Sequence, residues 1–231
     1  SLLRLIIGPT GAELAARSSS LDEPLTTDNS SVLPFSTQGS ADVRALRMDT
    51  NAIMVQRSKQ RVFMIGPAAN TLADYQGFDL TLLVPDLLAA GVVSIAIQRQ
   101  PDTRLHCALA NGKVGILTYE PQEEVICWSM WEGDTGTTPT VEKVAVLPGI
   151  AEDAVYYHIR RTINGATKRY LEKWAKESEC LGDTGTCFLM DCAATFTDTG
   201  RTNALTAVAT HLVGESVVAW GDLDTGSTPY V

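Results

Sequence analysis

Apolar and polar residues alternate most regularly between Ala154 and Lys173. Val155, Tyr157, Ile159 and Ile163 fall on one face at a period of two, and His158, Arg160 and Thr162 fall on the other. That period, carried largely by β-branched and aromatic residues, predicts strands. Asn164-Gly165 stands between the two arms and suits the two positive-φ positions of a type I′ turn, so Ala154–Ile163 and Ala166–Lys173 are expected to form a hairpin. The arrangement recurs upstream. Leu105–Ala110 and Lys113–Tyr119 flank Asn111-Gly112, and Ala52–Gln56 and Arg61–Ile65 flank Ser58-Lys59. The turns at 58, 111 and 164 are 53 residues apart in both intervals. A fixed period of that size marks a repeated supersecondary unit.

Around the second hairpin, Val92–Gln98 and Val125–Trp131 supply two further strands, and Gly133-Asp134-Thr135-Gly136 closes the set. Four short antiparallel strands match one blade of a β-propeller. The pattern restarts at Val141–Leu147. At the front of the chain, residues 1–17 read as two strands joined by Gly8-Pro9-Thr10-Gly11. Residues 18–42 are rich in Ser, Thr, Asp and Pro and read as an extended loop, followed by a short strand at Val43–Met48. Ala68–Asp79 reads as another connection. Leu80–Ala90 is the helix candidate of the first half, either broken at Pro85 or reduced to Asp86–Ala90 with Pro85 at its start and Gly91 at its close. The expected fold class is all-β: propeller-like antiparallel blades over 1–176 and a small acidic β module over 177–231. Three repeats are fewer than the usual four to eight blades of a closed propeller. A strand-like opening that starts at Ser1, and a strand-like close at Pro229-Tyr230-Val231, are expected of a piece of a longer polypeptide.

Charge supports the division. The chain carries −9, and residues 177–231 hold −7 of it, eight acidic residues against Arg201 alone. Such a break in composition is a candidate domain boundary. An acidic balance opposes a groove that grips nucleic acid, because that binding rests on Lys and Arg neutralising phosphates. With 45% hydrophobic residues the chain is not of the disordered class. No apolar run approaches the roughly 20 residues of a membrane span, and no signal peptide is visible, so no membrane anchor is expected.

Candidate chemistry is sparse. Asp-Thr-Gly occurs four times, at Asp134, Asp183, Asp198 and Asp224, and Asp224-Thr225-Gly226-Ser227 has the form of an aspartic-protease carboxylate. That reaction needs two such aspartates sharing a proton. Four copies in loop-like surroundings read instead as turns, where Asp and Gly are favoured. Gly133–Gly136 resembles the Asp-box of sialidase propellers only in part, lacking its order of residues. The histidines, His106, His158 and His211, form no HxH, HExxH or triad-like pattern and read as structural. No glycine-rich phosphate loop occurs. Among the five cysteines, Cys107 and Cys127 are expected to be buried in strands, whereas Cys180, Cys187 and Cys192 have a poor zinc spacing. They are expected as reduced thiols, a Cys180–Cys187 disulfide being the alternative in an oxidising compartment. Arg160-Arg161 and Lys168-Arg169 make a basic cluster across one hairpin. Cross-strand pairing with Glu172, or with Glu152 and Asp153 of a neighbouring unit, is the expected role. The residues themselves name no catalytic, cofactor-binding or metal site.

Several segments, taken in order, resemble the tail nozzle proteins of short-tailed bacteriophages, also called tail tubular protein B or packaged-DNA stabilisation proteins. They are Ser36-Thr37-Gln38-Gly39-Ser40, Val55-Gln56-Arg57-Ser58, Asp79-Leu80-Thr81-Leu82-Leu83, Leu117-Thr118-Tyr119-Glu120, Val125-Ile126-Cys127-Trp128 and Val141–Gly149. The longest is Arg160–Glu172, and His211–Val217 resembles the family's later β module. The resemblance covers most of residues 30–220, in strand-and-turn signatures and not chemical motifs. Members of that family are considerably longer. It implies a structural virion protein, assembled in the bacterial host cytoplasm, without enzymatic activity or cofactor. Such proteins form a homo-oligomeric ring, commonly a hexamer, at the distal end of the tail. The ring meets the adaptor and portal-proximal tail proteins, continues the DNA channel, helps retain packaged DNA and supports fibres or spikes. Genomic DNA would pass without sequence recognition. The reading from another class is a β-propeller hydrolase or glycan-binding module, which predicts carboxylates or aromatics converging on one face.

Overall fold

The structure is a computed structural model, and it describes residues 4–18, 23–67, 75–133, 137–181, 191–192, 209–217, 219–220 and 229–230. The fold is all-β. β1 (Arg4–Ile7), β2 (Glu13–Ser18) and β3 (Ser30–Ser36) form a three-stranded antiparallel sheet in that order. β4 (Leu46–Met48), β5 (Asn51–Val55), β6 (Val62–Pro67) and β7 (Tyr75–Asp79) form a four-stranded meander. β8 (Val92–Gln98), β9 (Arg104–Leu109), β10 (Val114–Glu120) and β11 (Val125–Trp131) form a second one. β12 (Thr140–Leu147), β13 (Ala154–Ile163) and β14 (Ala166–Lys173) follow as a three-stranded sheet, and β15 (Ala219–Trp220) pairs with β16 (Pro229–Tyr230). Within each sheet, strands consecutive in sequence are neighbours in space.

The three hairpins lie where the 53-residue period places them, each between the second and third strands of its sheet. Their turns differ. Asn164 (φ 48°) and Gly165 (φ 70°) both have positive φ, and Ile163 pairs with Ala166, which is the two-residue type I′ form. At the second hairpin Gly112 (φ 86°) has positive φ and Asn111 does not, while the Gly112 N–H donates to the Leu109 carbonyl. That is a three-residue loop ending in a left-handed glycine. At the first, Lys59 (φ 64°) takes the left-handed position. A second repeated feature lies in the first strands. The register of β8 slips between Val92 and Ser94, and that of β12 between Val141 and Lys143, so each carries a bulge one residue after its buried valine.

Two cores flank the second meander. Ile53, Val55 and Val62 of the first meander pack with Leu88, Val92, Leu105, Leu109 and Leu117. On the opposite face Ala108, Val114 and Ile116 pack with Val141, Val155, Tyr157 and Ile159. β9 and β10 are therefore buried on both faces and lose the apolar–polar alternation. β13 keeps it, with Val155, Tyr157, Ile159, Arg161 and Ile163 buried. β8 touches both β4 and β12, so the first strands of successive sheets lie side by side.

Three expectations need correction. No helix forms over 80–91. A chain of turns closes there, with N–H donation from Val84 to Thr81, Leu87 to Val84, Ala89 to Asp86 and Gly91 to Leu88. Pro85 biases Val84 away from helical backbone, and the turns instead plug Leu88 into the core while Leu82 and Leu83 stay exposed. The loop expected over 18–42 contains β3, and the connection expected over 68–79 contains β7. Both are edge strands of their sheets, with most of their residues exposed or half-buried. An edge strand needs no alternating apolar face, and β3 even tolerates Pro34. Of the module expected over 177–231, residues 182–190, 193–208, 218, 221–228 and 231 lie outside the described ones.

Candidate functional site

The four Asp-Thr-Gly segments and Cys187 lie outside the described residues. The three histidines sit in different settings and are not brought together. His106 is buried, with Nδ1 2.7 Å from the Tyr157 hydroxyl and Nε2 3.2 Å from Gln98 Oε1. Burial, with the Arg104 charge assisting, lowers its pKa from 6.5 to about 4, so the ring is neutral at physiological pH. Tyr157 stacks on Trp131, and Trp174 meets His106, Trp131 and Tyr157 edge-on. This is a polar pair sealed inside an aromatic box. His158 lies on the outer face, 3.1 Å from Glu142. His211 stands beside Tyr170, whose hydroxyl donates to the His211 carbonyl at 3.4 Å. Among the described residues no three His, Cys, Asp or Glu side chains are grouped to hold a metal ion.

Cys107 is buried, and desolvation pushes its thiol well above the ordinary range. Cys127 is exposed, against expectation, because β11 is the outer strand of its sheet. Cys180 and Cys192 are half-buried.

Three members of the basic cluster, Arg160, Arg161 and Arg169, are paired with acids. Arg161 is fully buried. Its Nε and Nη2 donate to the two carboxylate oxygens of Glu172 at 2.6 and 2.7 Å, as the cross-strand reading expects. It also donates to Asp191 at 2.9 Å and to the Thr137 hydroxyl at 2.7 Å. Burial opposes its charge, but the Glu172 and Asp191 bonds outweigh that and raise its pKa. Arg160 and Arg169 turn to Glu142, at 3.6 and 3.0 Å. Glu142 is the residue skipped at the β12 bulge, which re-aims it towards that face. The hydrogen bond from Arg169, outweighing partial desolvation, lowers its pKa. Glu152 and Asp153 take no part in this pairing, contrary to the alternative drawn from the sequence. Asp153 accepts from the backbone N–H groups of Arg99 (2.7 Å), Gly149 (3.1 Å) and Gln100 (3.2 Å). Glu152 accepts from the Ser178 hydroxyl at 2.8 Å and from the Glu177 N–H.

Two clefts remain. One, of about 220 Å³, lies beside Gln98, Arg104, Glu152, Asp153, Trp174 and Lys176. Arg104 in it is engaged by Asp102 at 2.7 Å and by Glu177, which also lines the cleft, at 3.0 Å; Glu152 and Asp153 accept hydrogen bonds as described. The larger, of about 340 Å³, opens between the first sheet and the first meander. The Ser36–Ser40 segment lines it, together with Glu13, Met54, Gln56, Phe63 and Tyr75. Ser40 holds the two sheets together through a bridge to Gln56 and an N–H bond to the Pro9 carbonyl at 3.0 Å. The Phe35 and Tyr75 rings meet at a tilt of 43°, with centroids 5.5 Å apart. Glu13 is 3% exposed; Oε1 accepts from the Ser40 hydroxyl at 3.1 Å, and Oε2 is buried without a partner. Sequence reasoning passed over Glu13, although it is the one acid of β2 and stands directly before the apolar run Leu14-Ala15-Ala16. It also passed over Glu142, since a bulge leaves no mark in periodicity. The chain matches no protein-family model and no curated protein.

Proposed function

We propose that the chain is part of a structural virion protein, the tail nozzle of a short-tailed bacteriophage. In this reading its sheets are blades of a propeller-like body. Copies associate into a ring, commonly six, that continues the DNA channel beyond the adaptor and portal-proximal proteins. The ring retains packaged DNA, carries fibres or spikes, turns over no substrate and needs no cofactor. Its place is the virion, after assembly in the host cytoplasm.

The observation that carries the reading is the succession of antiparallel meanders whose first strands, β4, β8 and β12, lie side by side, with hairpins at a 53-residue interval. The ordered strand-and-turn segments that resemble the nozzle family fall largely on these sheets. The acidic balance is compatible with a conduit. A wall rich in Lys and Arg holds DNA by releasing counterions, whereas a neutral or repelling wall lets it slide. Mass photometry of the full-length protein at micromolar concentration and below tests this. A dominant ring-sized species, about six protomers, is expected. A monomer at every concentration overturns the proposal.

A further inference from the structure

We infer that the cleft between the first sheet and the first meander is a binding site for a single guanidinium group, with Glu13 as its anchor. The inference does not depend on the chain forming a ring. A buried carboxylate oxygen without a partner is costly, because it loses water and gains nothing in return. Glu13 Oε2 is such an atom, and Glu13 lines the cleft. Among the described residues no Lys or Arg is paired with Glu13, and a cation that donates hydrogen bonds would answer both the charge and the open oxygen.

The rest of the lining favours guanidinium over ammonium. Guanidinium is flat, weakly hydrated and able to stack on aromatic faces while donating two parallel hydrogen bonds. Phe35 and Tyr75 supply the faces, and Glu13 supplies the acceptor. An ammonium ion holds its water more tightly and gains less from lying against an aromatic face. A volume of about 340 Å³ accommodates the group and its aliphatic stem. Because Oε2 is covered, an incoming group must displace a side chain of the lining. Gln38 is exposed and held by one amide hydrogen bond of 2.6 Å from Gln56, so it is the one best able to swing; Gln56 is half-buried and also accepts from the Ser58 hydroxyl at 2.9 Å.

The test uses the whole chain with three probes: agmatine, cadaverine and the peptide Gly-Gly-Arg-Gly-Gly. Titration is followed by calorimetry and by the thermal midpoint. Saturable binding of agmatine or the peptide is expected, with cadaverine at least about tenfold weaker. A peptide clearly tighter than agmatine identifies an arginine on a partner chain as the natural ligand; the reverse identifies a small soluble guanidine. Glu13→Gln should abolish binding and, without ligand, melt no lower than wild type, since it removes a carboxylate that lacks a partner. Tyr75→Ala should weaken binding by about tenfold while Glu13 stays in place. No saturable binding to wild type, equal binding by Glu13→Gln, or cadaverine as tight as agmatine each overturns the inference.

Discussion

Glycines at the two best-formed turns do different work. Gly165 has positive φ, but a Cβ there would meet nothing within 4 Å. Gly112 also has positive φ, and a Cβ would lie 2.7 Å from the Thr140 Cα at the start of the next sheet. Gly165→Ala should therefore cost only the backbone term, about 1 kcal/mol. Gly112→Ala adds a clash with main chain and should cost about 2–3 kcal/mol or more. Urea unfolding of the two variants checks the order. Arg161 makes a sharper case. Removing it leaves Glu172 and Asp191 around a buried void, so Arg161→Ala should lose about 3–5 kcal/mol. Arg160→Ala, on the exposed side of the same strand, should stay within about 1 kcal/mol of wild type. Glu172 could be named from the sequence because it shares a hairpin face with Arg161, but the register sets Lys168 opposite Arg161 and Tyr157 opposite Glu172, so the pair reaches along the strands and not straight across. The third partner, Asp191, could not be named, since only the fold brings it 30 positions back along the chain.

His106 sets a pH dependence at the same scale. Its folded pKa is about 4 against 6.5 when unfolded, so the unfolded chain binds the extra proton between those values. Stability from this group is fully present above pH 6.5 and falls as pH drops towards 4, by on the order of 3 kcal/mol. Denaturation midpoints measured from pH 7.5 to 4.5 should show that decline. His106→Gln should flatten the curve in this window, whatever it does to the absolute value. An equally steep curve in the variant would remove His106 as its source.

Among elements, what the sequence made legible divides by composition. β8, β11, β13 and β14 have the predicted bounds, since each lies beside a turn signal or carries a β-rich run. β3 and β7 differ from these in composition and not in edge position, which β8, β11 and β14 share. Their sequences are dominated by Ser, Pro, Gly, Asp and Gln, the residues that also make loops. The 80–91 turns were misjudged for the opposite reason. Leu80, Leu87 and Leu88 have helical spacing, yet Asp79 accepts from the Thr81 N–H at 2.8 Å and starts a turn that competes with helix. β9 and β10 reveal how cores override alternation: Leu105 is 1% exposed and sits in the core shared with the first meander. Leu105→Ala should cost about 2–5 kcal/mol, whereas Leu171→Ala on the exposed β14 should be close to neutral. Thermal unfolding of the pair checks this.

For the whole molecule, the proposed role rests on repetition and not on a reactive group. The cleft at Glu13 was invisible in the sequence because its walls come from two sheets and its anchor is an isolated residue. The repeat was visible because turn chemistry recurs at a fixed interval. The measurement that bears most directly on the central claim is a cryo-EM map of the assembled full-length protein. A rotationally symmetric ring is predicted, with a lumen wide enough for duplex DNA and the β4–β14 sheets arranged as blades within each protomer. A map of isolated protomers, or of an assembly without a through-going channel, would contradict the account.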